Sequence, residues 1–242
     1  MDLHNLIIET TRRCNMKCDH CLRGPAQDIA MTQEVITPFF RDVDSIDVLT
    51  FTGGEPSLPS GVMAMNLILD TIVDKSIMIQ SFFIATNGKR WSNAFVKFIY
   101  RIYSYCEEND TSGIKISGDQ FHSTHRNERN EFQDRLYSTL QYDYDIENLN
   151  IWTDNTLMSD NRILYMGNAI GNGIGQQPIN TRDFRVGMFE DQIQVRGDVY
   201  LSSDGHVINH CDYSYDDIAY DEDALICKVA DFTNENMRRR AK

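Results

Sequence analysis

The sequence has no run of apolar residues approaching the roughly 20 that a membrane-spanning helix needs. Residues 1–9 also lack the cationic start and the apolar core of a secretory signal. We therefore expect a cytoplasmic protein with no membrane partner. Thiols stay reduced in that compartment, so the six cysteines are interpreted as metal ligands, reactive groups or core residues before disulfides.

Basic residues are few: 23 Lys and Arg stand against 36 Asp and Glu, which gives a formal net charge of −13. Most of such a surface would repel a polyanion, so the charge disfavours a nucleic-acid partner. The one basic run, residues 238–242, is interpreted as a solvated tail. Because 41% of the residues are hydrophobic and 24% are charged, the composition is that of a globular protein with a full core.

Short apolar runs alternate with helical patterns through the first two thirds of the chain, which is typical of βαβ units and a parallel sheet. The predicted strands are residues 6–9, 48–52, 82–86, 114–117 and 149–153. Apolar residues at helical spacing predict helices over residues 65–72, 95–102 and 128–140. An earlier helix either begins after Thr37 or is capped by Thr32 with Pro38 in its first turn.

The alternation ends at about residue 155, after which four glycines punctuate a loop-rich stretch. From Gln192 the sequence predicts three short strands, with a tight turn at Asp204-Gly205 before the last of them. We expect a core domain over residues 1–190 and a small C-terminal antiparallel β meander over residues 191–242.

Three cysteines, Cys14, Cys18 and Cys21, lie within eight residues, directly after the first predicted strand. Three thiolates from one tight loop can each take a corner iron of a cubane and leave the fourth iron without a protein ligand. A structural zinc knuckle with His20 or a distant cysteine as fourth ligand is the alternative. Zinc would leave unexplained the motif Gly53-Gly54-Glu55, which follows the second predicted strand.

The spacing of three and then two residues between the cysteines, followed by this glycine and glutamate motif, resembles the radical S-adenosylmethionine (SAM) superfamily. Thr86-Asn87-Gly88 and Ser117-Gly118-Asp119, at the next two strand ends, extend the resemblance over roughly residues 5–155. It implies an α/β fold, a partial (β/α)6 TIM-like barrel open on one side, with its site where the strands end. It also implies an oxygen-sensitive enzyme with a [4Fe-4S] cluster on the three cysteines and with SAM as second cofactor.

The same resemblance suggests roles for single residues. The edge formed by Gly53, Gly54 and Glu55 would receive the amino group of SAM, whose amino and carboxylate groups chelate the fourth iron. At other strand ends, cofactor-binding roles fall to Asn87 and to Ser117 and Asp119, which match positions near the ribose or methionine of SAM. His20, immediately before Cys21, occupies an aromatic position near the adenine. The fifth strand carries no recognisable adenine-contacting motif.

The implied reaction is reductive cleavage of SAM to a 5′-deoxyadenosyl radical, which abstracts hydrogen from a small-molecule or peptide substrate. The partners would be that substrate and an external one-electron reductant of the flavodoxin or ferredoxin type. A glycyl-radical-enzyme activase and a 7-carboxy-7-deazaguanine synthase-like enzyme are alternatives. A non-catalytic iron-sulfur or zinc module is an alternative of another class. No catalytic residue is assigned.

The other cysteines and histidines are interpreted more modestly. Cys106 continues the apolar face of a helix and is expected in the core. Cys211 and Cys227 are too few for a second cluster, so a core or substrate-facing role is favoured. His122, three residues after Asp119, either serves binding or proton transfer or belongs with His125 to an ordinary polar loop.

Overall fold

The computed structural model describes residues 1–154, 164, 166–176, 184–220 and 225–241. Five parallel strands form the centre of its sheet in the order β5-β4-β3-β2-β1. They are β1 (Asp2–Glu9), β2 (Ser45–Thr52), β3 (Met78–Thr86), β4 (Gly113–Ser117) and β5 (Asn150–Asp154). All five predicted strands are confirmed, and the carboxyl ends of the first four meet at the candidate site.

A helix follows each of the first four strands and shares one apolar core with the sheet. The described helices are α1 (Gln33–Phe39), α2 (Pro59–Asp74), α3 (Asn93–Tyr105), α4 (Arg126–Tyr144), α5 (Asn168–Asn172), α6 (Tyr215–Tyr220) and α7 (Asn234–Arg240). The three predicted apolar faces are buried, on α2 around Ile68, on α3 around Ile99 and on α4 around Leu136. Cys106 caps the end of α3 and is buried in the same core, as expected.

Helix α1 differs from the expectation in one respect. Thr32 is its N-cap, as one of the two alternatives predicts, but Pro38 lies in the last turn and not in the first. Proline has no backbone N–H, so it removes one helical hydrogen bond, and the α-helix ends one residue later, where a 3₁₀ turn begins at Phe40–Asp42.

The C-terminal strands continue the main sheet. They are β6 (Arg185–Phe189), β7 (Gln192–Leu201), β8 (His206–Ile208) and β9 (Leu225–Lys228). Strand β7 runs parallel to β1 on the side away from β2, while β6 pairs antiparallel with β7, and β8 and β9 complete an antiparallel meander. The two short strands predicted between Gln192 and Leu201 are therefore one strand. It is interrupted only by Gly197, which adopts φ +84° near a register shift against β1.

The described parallel strands thus number six, and the sheet does not close on itself. The architecture is the expected partial α/β barrel with a C-terminal meander. None of the helices in the described part of the chain combines the length and the apolar character needed to span a bilayer. A small apolar cluster lies at the β1–β7 side of the sheet and includes Ile7, Met166, Tyr200, Ile208, Tyr213 and Ile218. It seats the C-terminal segment beside the carboxyl end of β1.

Candidate active site

A cavity of about 510 Å³ lies at the carboxyl ends of β1 to β4. Its walls contain nearly all of the residues that the sequence singles out, namely Cys14, Cys18, His20, Cys21, Gly53, Gly54, Glu55, Asn87, Ser117 and His122. Asp119 stands behind His122, outside the lining. Cys211 and Asp212 add a wall from the C-terminal segment, whereas Cys227 is on strand β9, away from the lining.

The two motif glycines pack against the backbone of the segment that leads into residues 14–21, which we term the cysteine loop. The amide of Gly54 donates to the carbonyl oxygen of Thr11 at 2.6 Å, and the amide of Glu55 donates to that of Arg13 at 2.9 Å. A Cβ atom on Gly53 or Gly54 would lie 2.4 or 2.2 Å from those two carbonyl oxygens. Only glycine therefore permits this approach of two backbones, which places the cysteine loop against the end of β2.

The three loop cysteines are free and half-buried. Besides burial, neighbouring thiols of the loop contribute to the pKa values of Cys14 and Cys18. Burial raises the pKa of Cys14. Burial, together with the neighbouring Cys21 and Cys14, raises the pKa of Cys18 to about 12. The thiols of Cys14 and Cys18 are therefore held protonated at neutral pH. A positively charged metal group is the partner that would convert them to thiolates.

The carboxylate of Glu55 is buried and ties neighbouring strand ends together. Its Oε1 accepts hydrogen bonds from the amide of Ser57 at 3.0 Å and the hydroxyl of Thr86 at 2.6 Å, and its Oε2 accepts from the amide of Asn87 at 2.8 Å. The side-chain amide of Asn87 then donates to Oδ1 of Asn15 in the cysteine loop at 2.8 Å. The second motif and the third strand end are thereby fixed relative to the cysteine loop.

Asp119 organises a group of aromatic side chains at the edge of the cavity. Its Oδ1 lies 2.8 Å from Nδ1 of His122 and accepts from the amide of Phe121 at 2.9 Å, and its Oδ2 lies 3.8 Å from Nε2 of His20. Burial alone would raise the pKa of Asp119, but the hydrogen bond and charge of His122 and the charge of His20 outweigh burial and lower this pKa. Burial lowers the pKa of His20, whose ring stacks on Phe121 with centroids 4.1 Å apart.

His122 faces the cysteine loop. Its Nε2 lies 3.8 Å from the sulfur of Cys18, and its side chain is buried. Possible ligand atoms of His20, Asp119 and His122 lie within 4.8 Å of one another, so this group could also hold a metal ion. The side chain of His125, the other member of the predicted polar loop, lies outside the described residues.

A buried ion-pair network that sequence patterns do not predict ties the base of the cysteine loop to the C-terminal segment. Glu9, at the end of β1, accepts from Nε of Arg12 at 2.8 Å, from the hydroxyl of Tyr200 at 2.6 Å and from the amide of Ser203 at 3.0 Å. Arg12 also pairs with Asp204 at 2.9 Å. Glu9 and Arg12 are three positions apart, but Tyr200, Ser203 and Asp204 lie about 190 positions downstream, so nothing local in the sequence marks them as partners.

Two further contributors were missed at the sequence level. Gly167 and Asn168 pack against the backbone of the cysteine loop, although the sequence offers only a glycine-rich stretch there. Arg23 follows the loop, donates to the carbonyl oxygen of Tyr213 and lies with its guanidinium 4.4 Å from the ring centroid of Tyr200. A short helix downstream and a buried cation thus complete the surroundings of the cysteines.

Comparison with known proteins supports the fold. No protein-family model matches the chain, and a search of curated proteins found no match. Among solved structures, the chain is similar to the anaerobic sulfatase-maturating radical SAM enzyme anSMEcpe with bound AdoMet and Kp18Cys peptide, at 14% identity and a TM-score of 0.54 over 99% of this chain and 81% of that one. A second structure of that enzyme, with bound AdoMet and Cp18Cys peptide, is similar at 14% identity and a TM-score of 0.51, over 98% of this chain and 80% of that one. At this identity the likeness establishes a fold similar to radical SAM enzymes.

Proposed function

We propose that this chain is a radical SAM enzyme that holds one [4Fe-4S] cluster on Cys14, Cys18 and Cys21 and binds SAM in the cavity beside them. One observation carries the proposal. The three thiols of a single loop and the edge formed by Gly53, Gly54 and Glu55 line the same cavity, at the carboxyl ends of parallel strands. That end of a strand barrel is where such folds assemble their chemistry.

The residues fit the cluster. Three half-buried thiols on one short loop are the soft donors that iron-sulfur clusters use. Cys211 lines the same cavity, but it enters from the C-terminal segment, 190 residues after Cys21, whereas Cys14, Cys18 and Cys21 lie within eight residues of one loop. Three cysteines therefore act as one group, and the ligand number matches a cluster with one open iron.

Held by Cys14, Cys18 and Cys21 and by the edge at Gly53, Gly54 and Glu55, the cluster and SAM would supply one-electron reductive cleavage and radical hydrogen abstraction from the substrate. The protein orients SAM and the substrate and shields them from water and oxygen. The backbone next to Gly53 and Gly54 offers SAM an edge free of side chains, and the remaining lone pair of Glu55 can accept from its amino group. His20 and Ser117 are proposed to bound the rest of the SAM site, and Asp119 is proposed to act on it from behind His122.

The proposed substrate is a small molecule or a peptide side chain. The peptide class is favoured by the two similar structures, because both were determined with a peptide and AdoMet bound. Cys211 and Asp212 would form the substrate-facing wall, since they line the cavity from the C-terminal segment. The electron would come from an external flavodoxin- or ferredoxin-type reductant.

Anaerobic reconstitution of the full chain with iron and sulfide tests the proposal. We expect a brown protein with about four irons per chain, which forms 5′-deoxyadenosine from SAM under dithionite. Replacing Cys14, Cys18 or Cys21 with Ala should abolish cluster binding. Cys106→Ala is the matched control, because Cys106 is buried in the core at the end of α3, and it should retain iron and lose only stability.

A colourless protein that carries one zinc after this treatment would refute the proposal and favour a zinc module. Brown protein that forms no 5′-deoxyadenosine would favour a non-catalytic iron-sulfur protein. Loss of iron in the Cys106→Ala protein would show that loss of iron is no measure of ligation in this chain.

A further inference from the structure

We propose that residues 167–172, which we term the loop clamp, position the turn between Cys18 and Cys21 for cluster binding. The clamp comprises Gly167 and the short helix α5 and comes from a part of the chain about 150 residues beyond the cysteines. Asn168 is its main positioning residue. The inference rests on the proposed function, since it assigns these residues a role in holding the cluster ligands.

The first support is a set of three hydrogen bonds to carbonyl oxygens of the cysteine loop. The side-chain amide of Asn168 donates to the carbonyl oxygen of Cys18 at 2.9 Å, and its main-chain amide donates to that of Cys21 at 3.0 Å. The side-chain amide of Asn172 donates to the carbonyl oxygen of Asp19 at 3.1 Å. These bonds fix the orientation of peptide groups at two of the three ligand positions.

The second support is the absence of space at Gly167. Its φ of +55° and ψ of −128° favour glycine strongly. A Cβ atom there would lie 2.4 Å from the carbonyl oxygen of Leu22, 2.5 Å from that of Cys21 and 2.6 Å from the amide nitrogen of Gly24. Any side chain at Gly167 would therefore push the clamp off the loop.

The third support is that the clamp contributes little to the core. Ile170 is 53% exposed, and within α5 only Ala169 is buried. The loop itself has one local bond across the turn, from the amide of Cys21 to the carbonyl oxygen of Cys18 at 3.1 Å. The clamp therefore acts mainly by ordering the turn between Cys18 and Cys21. A turn that is ordered beforehand loses less entropy when its ligands converge on a metal group.

Two glycines of the clamp give a matched pair of variants. A Cβ atom on Gly167 would overlap backbone atoms of residues 21–24, whereas a Cβ atom on Gly171 would meet no heavy atom within 4 Å. We would reconstitute full-length wild type, Gly167→Ala and Gly171→Ala anaerobically and follow bleaching of the cluster in a ferrous chelator. Gly167→Ala should lose iron at least about tenfold faster than wild type, while Gly171→Ala should match wild type.

Asn168→Ala provides a second, gentler test. It removes one side-chain donor and leaves the glycine conformation intact, so we expect iron loss about three- to tenfold faster than wild type. Ile170→Ala is its control, since that exposed side chain is absent from the bonds to the loop. Thermal unfolding of the iron-free proteins should be nearly the same for Asn168→Ala and Ile170→Ala.

The outcomes separate this inference from the proposed function. A wild type that binds no cluster would overturn the proposed function. A brown wild type with equal iron loss in Asn168→Ala and Ile170→Ala would overturn the clamp alone. If Gly167→Ala fails to fold, the comparison of Asn168→Ala with Ile170→Ala tests the inference instead. If Asn168→Ala loses iron faster but its iron-free form also unfolds at a clearly lower temperature than iron-free Ile170→Ala, the clamp has only a general structural role and the inference is contradicted.

Discussion

The main-chain amide of Asn87 donates a 2.8 Å hydrogen bond to Oε2 of Glu55, which joins the carboxyl ends of β3 and β2. Two further donors, from Ser57 and Thr86, occupy Oε1 of the same carboxylate. A carboxylate offers about four acceptor positions, so one is left for a ligand. Glu55 therefore shapes the loop after β3 in addition to presenting a negative charge to the cavity.

Glu55→Gln should weaken SAM binding and also destabilise the chain. A glutamine would place an NH₂ group against the amide of Asn87 or the donors from Ser57 and Thr86, and losing one charge-assisted hydrogen bond costs about 1.5 to 3 kcal/mol. We expect a full iron complement, a lower free energy of unfolding and SAM affinity about ten- to hundredfold weaker, measured by calorimetry.

Thr86→Val is the control for Glu55→Gln, because it removes one donor to the carboxylate and keeps its charge. This variant should lose stability with SAM affinity little changed. Unchanged SAM affinity in Glu55→Gln would confine the carboxylate to the scaffold.

Asp119 and His122 should act on SAM binding as one unit. The carboxylate of Asp119 lies 2.8 Å from Nδ1 of His122, and only the histidine lines the cavity. Asp119→Asn and His122→Ala should each retain iron and each weaken SAM binding about three- to tenfold. The double variant should be no worse than the more affected single one. Additive losses would instead mean that Asp119 contacts the ligand independently of His122.

Replacing both Cys211 and Cys227 with Ser should leave the iron content unaltered. Cys227 lies on β9 opposite Val207, and Cys211 lies beside Asp212 on the cavity wall, so they occupy different parts of the molecule. Two separated thiols cannot supply the three or four ligands of a second cluster. Iron measured after anaerobic reconstitution checks this, and a fall by about half would demonstrate an auxiliary cluster.

Much of the barrel could be predicted from the sequence because its signals are local. The five strands are continuous apolar runs, and the buried faces of α2, α3 and α4 repeat at helical spacing. The cysteines and the glycine and glutamate motif also lie within short stretches, and consecutive strand ends of a parallel sheet meet at one edge. Convergence of these motifs on one cavity follows from that topology.

The remainder depends on contacts between distant parts of the chain. Gly197 interrupts the pattern of β7, which therefore resembles two strands, and no local feature indicates that β7 pairs with β1. The bond from Asn168 to Cys18 spans 150 positions, and its sequence surroundings resemble an ordinary glycine-rich loop. Glu9 and Ser203 are 194 positions apart. Such partners are selected by tertiary packing, which periodicity does not encode.

Asp204 should make the chain sensitive to acid. Its carboxylate pairs with Arg12 at 2.9 Å and lies 2.9 Å from Nδ1 of His206, and it also accepts from the hydroxyl of Ser202. Burial would raise the pKa of Asp204, but the hydrogen bonds from His206 and Ser202 and the charge of Arg12 lower it well below its ordinary value. An unfolded aspartate titrates near pH 3.9, so the folded chain binds this proton less readily than the unfolded chain.

The stabilisation from Asp204 is consequently complete above about pH 5 and is lost as the pH falls below about 4 toward the folded pKa. We expect Asp204→Asn to lower the free energy of unfolding by about 1 to 3 kcal/mol at neutral pH, and the difference from wild type to shrink steadily in acid. Urea unfolding of the iron-free proteins between about pH 2.5 and 7 measures this difference. Asp28→Asn is the control, because Asp28 is 84% exposed in its ion pair with Arg13 and such surface pairs contribute little. A constant difference between Asp204→Asn and wild type across the whole range would mean that Asp204 stabilises the fold through its shape and hydrogen bonds, with no contribution from its charge.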